Sequence, residues 1–358
     1  MKIGVVVLNF GEPEDATEEE VVPFLERIFL TNASLEGDVS PEAARRRSRE
    51  LAERRAPGLI EEYRKIGASP LNRQATQQAR AVEDELRSRG HDARTYPAMQ
   101  FTDPLISAAV RAAREDDIEQ LVGLPVYPLC GASTTIAALD AVEKEVGTLD
   151  WDVPFSAVTG WHRHPLYTSI RADGIRASVE ADGLDLTQAG VKLVFSAHGT
   201  PMKYIHEGVR YQAYAEESCR AIARELGVED HVIGYQNHTN RGIEWTQPDV
   251  ETVIREVDAD VVVVVPVSFM HEQSETLAEL DHDLREEAEE VGLRFHRVPV
   301  PHDDPRFAVV LADLVEPLLR ASGETLPESG DLTWGRCRCR PTPGTYCLNA
   351  VSRPANSM

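Results

Sequence analysis

Basic residues are scarce in this sequence. Its 37 lysines and arginines stand against 60 aspartates and glutamates, for a formal net charge of -23. Such an acidic surface repels phosphate backbones, which argues against nucleic acid as a partner. No apolar run approaches the roughly 20 residues needed to span a bilayer. The opening stretch, Lys2 to Leu8, is too short for a secretory core and runs into Glu12 and Asp15, so it reads as a buried strand. The expected location is the cytoplasm. The 358 residues include only five cysteines, expected there as reduced or metal-bound thiols rather than disulfides. The phosphate-binding loop and the glycine-rich dinucleotide turn are both missing. His271-Glu272 lacks the second histidine of a zinc protease, and Ser196 lacks the flanking glycines of a nucleophile elbow. Nucleotide chemistry and acyl transfer are disfavoured.

What is present is an alternation of β-branched apolar runs with long helical patterns, the mark of βαβ units around parallel sheets. The pattern occurs twice. Gly11 and Pro13 recur as Gly199 and Pro201. Pro125, Ser133, Thr135, Leu139 and Asp140 recur without a gap as Pro266, Ser274, Thr276, Leu280 and Asp281, and His162 and Pro165 recur as His302 and Pro305. A duplication predicts an α/β protein of two similar Rossmann-like domains with parallel sheets and an active-site cleft between them. The expected units are residues 1–165, carrying a lip at about 20–60, residues 166–320, and a cysteine-containing tail at 321–358.

The halves differ where chemistry is expected. Ligands of open α/β sheets gather at the carboxyl ends of strands. There the second half has His198 where the first has Phe10, and Glu275 where the first has Thr134. Ser274 reads as the N-cap of a helix over residues 275–291, whose dipole would keep Glu275 ionised. Glu279 and Asp283 follow at steps of four, each turning only about 40° around a helix. The three carboxylates predict a stripe of oxygen ligands for a divalent cation, ending near the imidazole. A solvated face of an acidic protein has the same pattern.

These residues carry a family resemblance. Leu8-Asn9-Phe10-Gly11-Glu12-Pro13, Tyr63-Arg64-Lys65-Ile66-Gly67-Ala68-Ser69-Pro70-Leu71, Leu124-Pro125-Val126-Tyr127-Pro128, Ser196-Ala197-His198-Gly199 and Glu275-Thr276-Leu277 together resemble the ferrochelatases over residues 3–320. The resemblance implies a chelatase-like fold whose last helix packs back on the first domain. It also implies insertion of Fe(II), as substrate, into a porphyrin with release of two protons, for haem biosynthesis. His198 and Glu275 are then the catalytic pair, and Arg55, Tyr63 and Ser69 help hold the porphyrin; Phe10 and Trp245 are further substrate-binding candidates. Gln273, Gln100, Gly208-Val209-Arg210-Tyr211 and the short loop Gly242-Ile243-Glu244-Trp245 depart from the family pattern.

Insertion requires removal of two inner N–H protons from a flat ring. A neutral imidazole with an ordinary pKa near 6.5 can accept one at cytoplasmic pH, and ionised carboxylates can deliver the metal. The reverse assignment makes His198 the ligand and Glu275 the acceptor. Phe10, Phe24, Leu25, Ile28, Phe29 and Leu30 offer an apolar slot or belong to a helix core. Arg45, Arg46, Arg47, Arg49, Arg54 and Arg55 are candidates for the propionates, since arginine forks suit carboxylates. The long apolar and basic lip argues for a porphyrin over a more carboxylated sirohydrochlorin-type ring, and its length leans towards protoporphyrin IX, with coproporphyrin III as the alternative. The competing readings are a cobalt or nickel chelatase acting on a sirohydrochlorin-type ring, and a tetrapyrrole carrier without catalysis. Peripheral membrane contact would serve the handover of an apolar product.

Cys337, Cys339 and Cys347 lie in a Pro- and Gly-rich tail and read as ligands. Cys130 is the first candidate for a fourth thiolate and Cys219 the second. The resemblance implies a [2Fe–2S] cluster; zinc and free reduced thiols are the alternatives.

Overall fold

A computed structural model describes residues 1–33, 40–236, 242–319, 326–327, 330 and 332–349. Part of the lip, residues 34–39, and parts of the tail lie outside the described residues.

Two parallel sheets organise the chain. The first is built on β1 (Lys2–Asn9), β2 (Asp92–Met99), β3 (Gln120–Pro125) and β4 (Phe155–Val158), in the order β2-β1-β3-β4. The second contains β5 (Val191–His198), β6 (His231–Gln236), β7 (Val261–Pro266) and β8 (Arg294–Arg297), in the order β6-β5-β7-β8. Both halves therefore run 2-1-3-4, the topology a duplication requires. Helices cover both faces, so the central strands are apolar throughout: Val262, Val263, Val264 and Val265 are all fully buried. Branched side chains fit that pleated interior.

The last long helix, Arg306–Val315, lies between Leu71–Ser88 and Pro165–Ala181. Phe307, Val310 and Leu314 enter the first sheet's core. Asp313 fixes the contact, accepting from Arg89 at 2.6 Å and lying 3.3 Å from His164.

The tail does not hang apart from the first domain. β9 (Gly335–Arg336) and β10 (Thr345–Cys347) extend the first sheet, β10 parallel to β4 and β9 antiparallel to β10. Arg340 anchors it: this buried guanidinium meets Asp140 at 2.7 Å, Thr345 at 2.6 Å and also Glu143. Strands this short in a Gly- and Pro-rich stretch leave no alternating pattern to read.

The lip pairs the helices Glu18–Thr31 and Pro41–Ile66. Val21, Phe24 and Leu25 pack on Ala52, Ala56, Leu59 and Ile60, so much of the apolar stripe is helix core. Ile28 and Phe29 are partly buried, and Leu30 is exposed. No helix among the described residues is long and apolar enough to cross a membrane.

Candidate active site

β5 ends at His198, and the loop after β7 leads to Glu275. Because β5 and β7 are parallel neighbours, both loops leave the same edge. The two side chains meet there, His198 Nε2 lying 2.9 Å from Glu275 Oε1. The imidazole retains 36% of its side-chain exposure and the carboxylate 18%, so the pair is open to a ligand on one side.

Each partner is held from behind. The His198 backbone N–H donates to Ser268 Oγ at 2.9 Å, and the Tyr211 hydroxyl shares a hydrogen bond with the same oxygen at 2.7 Å. His198 Nδ1 lies 2.5 Å from the Gly199 carbonyl, which makes Nδ1 the donor. Gln273 Nε2 donates to Glu275 Oε2 at 2.5 Å. Gln236, at the end of β6, donates through Nε2 to the Glu275 carbonyl at 2.9 Å and to Glu279 Oε2 at 3.1 Å.

Burial opposes a charge on His198. The Glu275 carboxylate, its hydrogen bond, the Gly199 carbonyl and the more distant Glu279 outweigh it, raising the imidazole from 6.5 to about 9. This favours the protonated form of His198 near neutrality, where the sequence alone suggested a neutral imidazole. Glu279 moves the same way, raised from 4.5 to about 8 by burial and then by the charge of Glu275.

The carboxylate stripe is shorter than expected. Gln273, not Ser274, is the N-cap, and its side chain and that of Thr276 form a reciprocal capping box. The α-helix covers only Ser274–Leu277 and gives way to a π-type turn at Glu279–Leu284. Hydrogen bonds from i to i+5 widen that turn, so steps of four no longer stack. Glu279 stays beside the pair, while Asp283 is exposed to solvent. A π turn uses the same residue types as an α-helix, which hides it from periodicity.

The expected porphyrin-holding residues lie at different depths. Phe10 is half-buried against Phe101 and Phe24, with centroids 4.7 and 6.0 Å away. Arg55 is exposed and paired with Glu62 at 2.8 Å, and Glu62 is close enough for its charge to reach Glu279. Arg49 is likewise engaged, by Glu53 at 2.7 Å and Glu26 at 3.2 Å. Tyr63 is fully buried, so it lies beneath the lip surface; burial and then the charge of Glu12 push its hydroxyl well up. Ser69 donates to Glu12. Trp245 is half-buried and pairs through its backbone with Pro201, just past His198.

The sequence reading missed Gln236, Ser268, Gln273 and Glu12. Gln236 had a usable signal, since it ends a strand on the same sheet edge.

A second cluster lies away from this pair. Among the described residues, the one group of three ligand atoms within 4.8 Å of one another is formed by Cys130, Cys337 and Cys339. Cys347 is buried next to Cys337, and Thr159 touches both. The Arg340 N–H donates to Cys337 Sγ at 3.3 Å. Cys219 packs in the second sheet's core among apolar side chains. Cys130 is thus the internal thiol that joins the tail.

The Ferrochelatase family model matches residues 2–319. A protein named ferrochelatase from Synechococcus sp. (strain JA-3-3Ab) is 36% identical over 334 residues, 90% of this chain and 95% of that protein. SirB from Bacillus subtilis, solved with Fe3+, superposes with a TM-score of 0.51 at 9% identity, covering 88% of this chain and 95% of SirB. CbiX, the terminal enzyme of sirohaem biosynthesis in denitrifying bacteria, gives 0.50 at 12% identity, covering 88% and 98%. Both structures share the fold.

Proposed function

The chain belongs to the ferrochelatase family, a lyase that inserts Fe(II) into a porphyrin for haem biosynthesis, and we propose that His198 and Glu275 form its insertion site. The observation that carries this reading is the 2.9 Å contact between them on one sheet edge, with the imidazole part-exposed.

The electrostatics support an order of events. Fe(II) approaches Glu275 and Glu279 as the dication's ligands, displacing the Glu279 proton to water. Its charge offsets the carboxylates that held the proton on His198, so the imidazole discharges that proton to water. Neutral His198 then accepts one pyrrole proton, Fe(II) moves from the carboxylates to the vacated nitrogens, and the freed Glu275 carboxylate accepts the second proton. The ring enters from the lip, beside Phe10, Ile28, Phe29 and Leu30. Glutamates already engage Arg49 and Arg55. This favours the less carboxylated protoporphyrin IX over coproporphyrin III and over a sirohydrochlorin-type ring.

The thiols of Cys130, Cys337, Cys339 and Cys347 suit an iron–sulfur cluster: three lie within 4.8 Å of one another and the fourth is adjacent. A [2Fe–2S] cluster held there would supply a one-electron centre and a cross-link between the loop at Cys130 and the tail. We assign the enzyme to the cytoplasm on its uncrosslinked cysteines, with peripheral membrane contact at the lip for product handover. The net charge of -23 argues against nucleic acid.

An anaerobic assay of Fe(II) with protoporphyrin, coproporphyrin and sirohydrochlorin tests the reading. Metallation of protoporphyrin supports it. Metallation of sirohydrochlorin alone, or tight binding of every ring without metallation, overturns it.

A further inference from the structure

Glu12 is the feature that the reaction as described leaves unused. It follows Gly11, whose φ of +80° and close approach to Met99, where an added Cβ would sit 2.6 Å from the Met99 Cβ, admit only glycine. That turn drives Glu12 inward, where 3% of it remains exposed. Asn72 grips its backbone from both sides, accepting from the Glu12 N–H at 3.0 Å and donating to its carbonyl at 2.8 Å.

The carboxylate then crosses to the other half of the molecule. One oxygen accepts from the Ser274 hydroxyl. The other accepts from the Ser274 backbone N–H at 3.1 Å and from the Ser69 hydroxyl. Ser69 Oγ itself accepts from Leu71 N–H at 3.3 Å, which leaves its proton for Glu12. Ser274 is the residue immediately before Glu275. Two residues just upstream, Glu272 and His271, are pinned to the same helix of the first half. Glu272 N–H donates to Gln74 at 3.0 Å, and His271 lies 3.1 Å from Gln78. A buried carboxylate with three donors is costly to leave unpaired, which makes the arrangement rigid.

Resting on the insertion site above, we propose that Glu12 is a positioning residue: it clamps Ser274 across the two halves and so fixes the backbone from which Glu275 reaches His198. The first half thereby contributes to a site whose reacting side chains all belong to the second. Glu12 stands in the repeat at the position of Thr200, two residues past the counterpart of His198.

The test uses the full chain with Glu12→Ala, Glu12→Gln and Ser274→Ala. Porphyrin metallation and hydrogen exchange at the Ser274 amide are measured together. Glu12→Ala is expected to lower kcat about 30-fold with the porphyrin KM within about twofold, and the isosteric Glu12→Gln about fivefold. The Glu12→Ala/Ser274→Ala double variant should lose no more than the worse single change, because both act through one contact. Exchange at Ser274 should quicken in both Glu12 variants. Unchanged exchange with unchanged kcat overturns the proposal, as do losses that multiply in the double variant. An inactive wild type would count against the insertion reaction instead, and amide exchange would still read the clamp.

Discussion

Gln100 and Gln236 do the same job in the two halves. Each follows or ends the second strand of its half and donates its side-chain amide to the carbonyl of a residue at the start of the helical segment after the third strand. The acceptors are Ser133 at 3.1 Å and Glu275 at 2.9 Å. The two halves, which share a strand order, share the brace but differ in what it supports. In the first half it steadies a loop carrying Thr134. In the second it steadies Glu275 and also reaches Glu279.

That brace separates the acidic residues by role. Glu279→Ala is expected to raise the KM for Fe(II) about tenfold with little change in porphyrin KM, because it removes a ligand beside the pair. Asp283→Ala, at an exposed position, should leave both constants within about twofold. Steady-state kinetics with varied metal checks the contrast.

The pH dependence follows from two raised pKa values. His198 is raised from 6.5 to about 9 and Glu279 from 4.5 to about 8. Both hold protons near neutrality and lose them as pH rises, and both then bind a cation better. The kcat/KM for Fe(II) should therefore climb between about pH 7 and 9 under anaerobic conditions. The His198–Glu275 attraction is fully present below 6.5 and is lost as pH rises through about 9. Glu275→Gln should lower the His198 pKa, as read from the imidazole resonances by NMR titration.

The cysteines divide in the same manner. Protein purified anaerobically should be brown and contain about two irons per chain beyond any haem. Cys130→Ala and Cys337→Ala should each abolish the visible absorption, whereas Cys219→Ala should leave it intact. Iron analysis and absorption spectra of the three variants decide this. Equal colour in Cys130→Ala and wild type would rule out Cys130 as a ligand.

Much of this was legible in the sequence. Fully buried Val runs announce parallel strands, and matching turn residues exposed the repeat before any strand order was known. Comparing the halves picked out His198 and Glu275, because a new titratable group at a strand end has no packing reason to be there. The remainder depends on contacts between distant residues. The raised pKa of His198 comes from a 2.9 Å neighbour in another loop. Glu12 looks like any loop glutamate until its partners in the other half are seen. The π turn after Leu277 and the two short tail strands alter geometry without altering residue pattern.

The most direct test of the central claim is the anaerobic rate of Fe(II) insertion by His198→Ala, measured with porphyrin binding on the same preparation. The account predicts a rate at least about 100-fold below wild type with the porphyrin dissociation constant within about threefold. A variant that binds porphyrin and inserts iron at the wild-type rate would contradict it.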